Sequence, residues 1–336
     1  MANWYKESDI YNDIIVSSRV RLARNLANMT FPARMDETAL KELTGKVKAA
    51  LEQIAAQGGV RLKFIFMDDI PENEIYAMVE RHVISPNFAR NFHNRAIAIS
   101  EDESISIMIG EEDHIRIQVT LPGDNLDTAY KMADQIDTAL AEILPIAFSE
   151  TLGFLTECPT NIGTGLRASV MLHLPVCESR GVINSISETA SKIGLTIRGM
   201  YGEGSKAVAS LYQISNQITL GISEKNAIEN LKVIAEQIVE REKQNRMLLE
   251  RAELEDTVMR AYGTLKYAKL ISTEEFMKLI SLIKLGLSEG IIENSNILPI
   301  RLLIEAQPHM LIRKYSATTP KERDLARAKM ANEILK

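Results

Sequence analysis

Apolar residues recur at helical spacing over residues 36–57, where Leu40, Leu43, Val47, Leu51 and Ile54 share one face and Gly58-Gly59 ends the run. Residues 61–67 then read as a strand, and Pro71 opens a helix to about His82. Three strand patterns follow, at 95–100, 104–109 and 114–120, the last with Ile115, Ile117 and Val119 alternating onto one face. A helix is expected over 124–144, stopped before Pro145. Strands are expected again at 168–174, 195–198, 208–214 and 218–221, with a short helix at 184–193 ending at Gly194. Ser215-Asn216 reads as the turn of a hairpin joining the last two strands.

After about residue 222 the strand patterns vanish. A long helix is expected from Ser223 to Ala261, broken near Gly263. Ser272 with Glu275 forms a capping box for a helix reaching Gly290, and Thr319 with Glu322 and Pro320 opens the last one. The pattern predicts an α+β domain followed by an all-helical domain, with the boundary in the 235–265 region.

Composition is that of a globular protein with its own core, which excludes disordered and fibrous classes. The net charge of −6 argues against wrapping nucleic acid. Residues 100–150 carry twelve acidic and two basic residues, so the remaining chain is net positive. That stretch is either a solvated acidic face or a surface that attracts a cationic substrate. Two cysteines, Cys158 and Cys177, make no disulfide framework and no zinc spacing. Neither a signal peptide nor an 18-residue apolar run is found, so a cytoplasmic protein with no membrane partner is expected.

Four segments carry candidate chemistry. In Ser17-Ser18-Arg19-Val20-Arg21, the two arginines lie two apart and on one side of an extended chain, as a phosphate clamp or as a salt-bridged basic strand. Cys158-Pro-Thr-Asn-Ile-Gly-Thr-Gly-Leu-Arg167 is a Gly-rich turn whose N–H groups are expected to cradle an anion; it lacks the Walker GK[ST] ending. Arg198-Gly199-Met200-Tyr201-Gly202-Glu203-Gly204 reads as a mobile loop closing over a ligand, or as an ordinary long turn. In Glu111-Glu112-Asp113-His114-Ile115-Arg116 three crowded acids bind a cation, raise a pKa or lie solvated; Mg²⁺ and a guanidinium are the candidate cations.

Together, SSRVR, EEDHIR, CPTNIGTGLR and RGMYGEG, in this order and ending in Ile214-Ser215-Asn216, resemble the phosphagen (guanidino) kinase superfamily. The sequence is most similar to bacterial protein-arginine kinases of the McsB type. Only sixteen residues precede Ser17, a helical C-terminal region is present, and Arg323-Asp324-Leu325-Ala326-Arg327-Ala328 matches their RDxxRA element. The resemblance implies a phosphagen-kinase-like catalytic domain over 1–240, an antiparallel sheet flanked by helices, and a helical domain over 241–336. It implies ATP with Mg²⁺ carried by the nucleotide, and no metal held by the protein itself. Nucleotide contacts fall on Ser17, Ser18, Arg19, Val20, Arg21, His82, Arg116, Arg167, Ala168, Ser169, Val170, Met171, Arg198, Gly199, Met200, Tyr201 and Gly202. Glu112 is the expected base and Glu203 its orienting partner, with Cys158 near the guanidine. Met171 and Met108 replace a histidine and a tryptophan of the family pattern.

The RDxxRA element resembles a phosphoarginine-binding, allosteric pocket. Arg323 and Arg327, one helical turn apart, would grip one phosphate, whereas on residues alone a salt-bridged helix surface serves equally. The implied partners are proteins with exposed arginines, an activating adaptor, a Clp protease system, a heat-shock repressor and a second copy of the chain. Free-arginine phosphorylation and phosphoarginine sensing without catalysis are the rival functions.

Overall fold

A computed structural model describes residues 3–11, 13–199, 207–293 and 296–335. The strands are β1 Ile15–Arg24, β2 Lys63–Phe66, β3 Ala96–Ile99, β4 Ile105–Ile109, β5 Ile115–Pro122, β6 Phe148–Ser149, β7 Gly153–Phe154, β8 Leu166–His173, β9 Leu195–Gly199 and β10 Leu211–Asn216. All but β6 and β7 join one antiparallel sheet in the order β2-β3-β4-β5-β1-β8-β10-β9. The helices are α1 Trp4–Tyr11, α2 Glu37–Ala56, α3 Glu72–Glu80, α4 Pro86–Arg90, α5 Leu126–Ala141, α6 Pro175–Ser179, α7 Ile183–Lys192, α8 Glu224–Arg246, α9 Arg251–Tyr267, α10 Thr273–Ser288, α11 Pro299–Glu305, α12 Pro308–Tyr315 and α13 Pro320–Ile334. Among the described residues no helix is long and apolar enough to cross a membrane.

Period-two alternation sorts the central strands into two faces. Val20 and Leu22, Ile117 and Val119, and Leu166, Ala168 and Val170 point into a core closed by α2, α5 and α8. The opposite face is itself divided. Toward one end it carries charged and polar side chains; toward the other, Val16, Met171 and Leu211 are apolar. Those apolar positions pack against α1 and the helices after residue 250, in a core with Val258, Phe276, Ile280 and Leu303. The helical region therefore sits on the same sheet face as the polar positions, beside them.

Glu80 and Arg81 tie this junction. Glu80 accepts from the N–H groups of His309 and Met310 at 2.9 and 2.8 Å, filling the bare N-terminus of α12. Arg81 is buried against Glu103 and Glu74, and its carbonyl accepts the Trp4 indole N–H at 3.0 Å.

Three sequence expectations change. Ser215 and Asn216 are not a turn but the end of β10, where the Asn216 side chain accepts from the Ala168 N–H and donates to the Leu166 carbonyl. Residues 218–221 form no strand; the Thr219 hydroxyl is instead spent on the carbonyls of Thr160 and Ile162. The long helix breaks at 247–250 rather than at Gly263, because Glu250 caps a new helix by accepting from the Glu253 N–H. Gly263 lies inside α9, where a glycine costs about 1 kcal/mol relative to alanine without ending the helix.

His173 on β8 is fully buried, its Nε2 2.8 Å from the Ser281 hydroxyl of α10. Burial, then Lys284 and Arg246, push its pKa well below the ordinary 6.5. The folded chain therefore refuses a proton that the unfolded chain binds. Stability is complete above that ordinary value and is lost as pH falls below it. Urea unfolding between pH 7.5 and 5 should show this decline, and His173→Gln should make it shallower; an unchanged slope would refute the assignment.

Candidate active site

The polar end of the sheet face floors a cleft of about 540 Å³. Arg19 and Arg21 come from β1, Arg116 from β5, Arg167 from β8 and Arg198 from β9, and all five line it. Sequence spacing could pair only Arg19 with Arg21; antiparallel register brings in the rest. Arg21 faces Arg167 across β1 and β8, and Ala23 faces Arg116 across β1 and β5.

These cations crowd one another. Burial, then Arg116 and Arg167, lower the Arg19 pKa to about 10. Burial, then Arg19, Arg116 and Arg167, push Arg21 well below its usual range, with Glu111 easing it. The buried Arg21 Nε has no hydrogen-bond partner. An orphaned guanidinium N–H among like charges is the environment a polyphosphate satisfies, so these residues fit ATP.

Two carboxylates face the arginines. Glu111 accepts from Arg116 Nη1 at 2.8 Å, the Ser85 hydroxyl at 2.7 Å and the Glu112 N–H at 2.9 Å. Burial raises its pKa, but Arg116, these hydrogen bonds and Arg21 outweigh burial and hold the carboxyl below its ordinary range. Glu112 is more exposed and meets Arg116 Nη2 at 3.2 Å, with the Cys158 thiol close enough to help lower its pKa. Burial, against Arg116 and with Asp113 and Glu111, raises its pKa.

The loop carrying the pair is held from behind. Asn25 donates to Asp113 at 2.7 Å and accepts from the His114 N–H at 2.9 Å. The Leu26 N–H donates to His114 Nδ1 at 2.8 Å, so Nε2 carries the proton and donates to the Thr30 carbonyl at 2.7 Å.

The Gly-rich turn does not cradle an anion. Its N–H groups are spent internally: Gly163 to Phe154, Thr164 to Thr219 and Gly165 to Asn161. Glycine is needed there for close approach instead. A Cβ on Gly163 would lie 2.1 Å from the Thr219 carbonyl oxygen, at a φ of +112°. The turn is a wall that places Cys158 in the cleft, with Sγ 3.0 Å from the Thr160 hydroxyl.

His82 lines the cleft in a left-handed conformation, φ +60°, edge-on to Trp4. Burial, then Arg19, lower its pKa to about 3, so it is neutral. Ser17, Ser169 and Met171 line only a small hollow beside the cleft. Val20, Ala168 and Val170 point into the opposite core, and the Ser18 hydroxyl donates to the Gly123 carbonyl; their side chains do not reach the cleft. Gly199 ends β9, while Met200, Tyr201, Gly202, Glu203 and Gly204 lie outside the described residues.

The C-terminal arginine pair also departs from expectation. Arg327 is fully buried and donates to the carbonyls of Ala306 and Ile271, to Asp324 and to the Thr273 hydroxyl. Arg323 is half-buried and bonds the Thr318 carbonyl. Their shared helical face does not yield a shared grip, because packing consumes one of the two. Ala328 is in the second core.

Sequence reading missed Glu111 as a distinct group, Gln213, which accepts from Arg19 at 2.9 Å, and the cleft residues Ser85 and Asn161. Alternation along β10 carried a signal for Gln213, two residues from Ser215.

Comparison with known proteins agrees with this geometry. Residues 42–245 match the ATP:guanido phosphotransferase C-terminal catalytic domain, and residues 251–336 match the protein-arginine kinase McsB C-terminal domain. A protein-arginine kinase of Halothermothrix orenii is 43% identical over 98% of this chain and 95% of its own length. That of Bacillus subtilis is 41% identical over 100% and 93%. Among solved structures, a lombricine kinase superposes with a TM-score of 0.60 at 22% identity, covering 69% of this chain and 67% of its own, a likeness of fold. A duplicated taurocyamine kinase from Schistosoma mansoni reaches 0.61 at 25% identity, over 82% of this chain and 41% of its own. With a guanido-phosphotransferase domain followed by the McsB-type helical domain, and full-length relatives at this identity, the chain belongs to the protein-arginine kinase family of guanidino phosphotransferases.

Proposed function

We propose that the cleft transfers the γ-phosphoryl group of ATP to a guanidinium nitrogen of an arginine side chain in a protein. The observation that carries this reading is the convergence of five arginines on one cleft with Glu112 and Cys158 at its edge. Arg19, Arg21, Arg116, Arg167 and Arg198 hold the phosphates and offset the charge that develops during transfer. Mg²⁺ carried in with the nucleotide would offset further phosphate charge beside these arginines.

The acceptor is a cation whose pKa exceeds about 12, so it must lose a proton as it attacks. Glu112 takes that proton. A P–N bond forms, the bond from phosphorus to the ADP oxygen breaks, and phosphoarginine and ADP result. Glu111 is the poorer base, because Arg116, Ser85 and a backbone N–H occupy its oxygens and lower its affinity for a proton. The raised pKa of Glu112 suits a proton acceptor. Glu203 is assigned as the second carboxylate that orients the fork. His82 is assigned to the base side of the nucleotide.

We further assign residues 1–240 as the catalytic domain and 241–336 as the helical domain. Family resemblance alone supports the finer context: cytoplasmic homodimers in protein quality control, an activating adaptor, marking for a Clp-type protease and action on a heat-shock repressor. It supports the phosphoarginine role of residues 323–328 in the same way, with Arg323 as the more accessible arginine.

Incubation with labelled Mg-ATP and casein should give protein-bound label that is lost in acid, as a phosphoramidate is, with free arginine as the comparison. Glu112→Gln should lower the rate by roughly 10²- to 10⁴-fold while leaving ATP affinity within about twofold. Acid-stable label, or label on free arginine only, would overturn the reading.

Glu112 must be ionised to act, so the rate should fall as pH drops through its raised pKa. Asp113 contributes to that rise, and its Oδ1 accepts from Asn25 and the Glu157 N–H. Asp113→Asn should therefore move the acid limb of kcat to lower pH. An unmoved or upward-moved limb would remove Glu112 from the role of base.

A further inference from the structure

On the far side of the Gly-rich turn lies an open groove of about 720 Å³ that the phosphoryl-transfer chemistry does not use. Thr160, Asn161 and Gly165 of the turn line the catalytic cleft, while Gly163 and Thr164 line the groove. One short segment is thus the wall between them. Cys158, at the start of the same turn, lines the cleft with its Sγ 3.0 Å from the Thr160 hydroxyl, and the acceptor is assigned to that end.

The groove is apolar and exposed. Phe148 is 58% exposed, Leu152 44% and Leu220 52%, and all three line it. Large apolar side chains gathered this way on a soluble protein mark a place where something binds.

Its floor is rigid. The Phe154 ring stacks edge-on with Phe148 at 5.2 Å and lies 3.5 Å beneath the Arg24 guanidinium. Arg24 is 1% exposed, is clamped by Asp137 at 2.7 Å, and donates to the Thr164 carbonyl at 2.9 Å. Glu224 joins this network through Arg24 and the Tyr130 hydroxyl. The wall is pinned to the floor by paired backbone bonds between Phe154 and Gly163. A preorganised surface spends little conformational entropy when it is filled.

We infer that this groove is a specificity site for the acceptor: it takes a large apolar side chain of the same polypeptide whose arginine enters the cleft. The inference rests on the protein-arginine reading and adds a sequence preference to it. A small guanidine in the cleft cannot reach across the turn, whereas a polypeptide can. Residues Asn161 and Gly163 are two apart, and extended chain advances about 3.4 Å per residue, so the apolar residue falls within roughly four positions of the arginine.

The test uses the full-length protein and Mg-ATP. A peptide with one arginine among glycine and serine residues is compared with peptides carrying phenylalanine at each of the four positions on either side. At least one phenylalanine peptide should show kcat/KM about tenfold above the parent. Leu152→Ser/Leu220→Ser and, separately, Phe148→Ser should abolish that preference while leaving the parent peptide's rate unchanged. Met259→Ser, on the exposed surface of α9, should keep it.

Equal rates for all peptides, or a preference that survives in both groove variants, would sink the specificity site alone. So would groove variants that dissociate a dimer in sedimentation with peptide selectivity intact, since the occupant would then be a second copy. No label on any peptide would bring down the protein-arginine reading and this inference with it.

Discussion

Like charges on neighbouring strands set the terms for the rest of this molecule. Arg21 and Arg167 are direct partners in the register of β1 and β8, and Arg116 lies one strand away on β5. Two unit charges about 5 Å apart repel by roughly 3 kcal/mol at the effective dielectric of a protein surface. Among the described residues lining the cleft only Glu111 and Glu112 oppose six arginines, the five on the sheet and Arg90 of α4, and both are engaged with Arg116. The polar face of the sheet therefore does not hold itself together. The opposite face does, through Val20, Leu22, Ile117, Val119, Ala168 and Val170 against α2, α5 and α8. Cooperative packing on one side lets the other keep a charge distribution that only a polyanion completes, and ligand binding then returns stability to the fold.

The acidic stretch at 100–150 fits the same account. The sequence allowed either a solvated face or a surface attracting cationic substrates. Much of it is spent inside the molecule: Glu103 on Arg81, Glu111 and Glu112 on Arg116, Asp137 on Arg24 and Asp127 on Lys232. The excess positive charge elsewhere in the chain partly answers this local excess of acid.

Local patterns were readable where one residue's neighbours decide its state. The alternation of Ile115, Ile117 and Val119, the Pro71 helix start and the Thr319 capping box all follow from adjacent residues, and all stand in the structure. Readings failed where a distant partner decided. Ser215-Asn216 has turn chemistry, but the Asn216 amide completes the backbone of β8, which no local rule contains. The Gly-rich turn has the composition of an anion nest, yet Phe154 and Thr219 consume its N–H groups. The arginines of the cleft were legible as residue types because their motifs are short; their convergence is a property of register. Arg116 pairs with both Glu111 and Glu112, but Ser85 and a backbone N–H bond only the first while Asp113 crowds the second, so adjacent, identical residues shift in opposite directions.

Arginine gives the sharpest case of this distinction. A guanidinium has five N–H donors and no acceptor, so its role follows from how many donors the chain itself fills. Arg24 and Arg327 are both fully buried, and main-chain carbonyls, a carboxylate and, for Arg327, a hydroxyl absorb their donors. Removing either would strand buried acceptors, which makes these side chains fasteners. Arg21 sits in the opposite condition, half-buried with an unfilled Nε and like charges on two sides. Its incompleteness leaves a donor for an anionic ligand. Spacing places Arg323 and Arg327 on one helical face as surely as it places Arg19 and Arg21 on one side of a strand. Only in the second pair do both members keep donors to offer, because among the described residues no helix packs over the polar end of that sheet face.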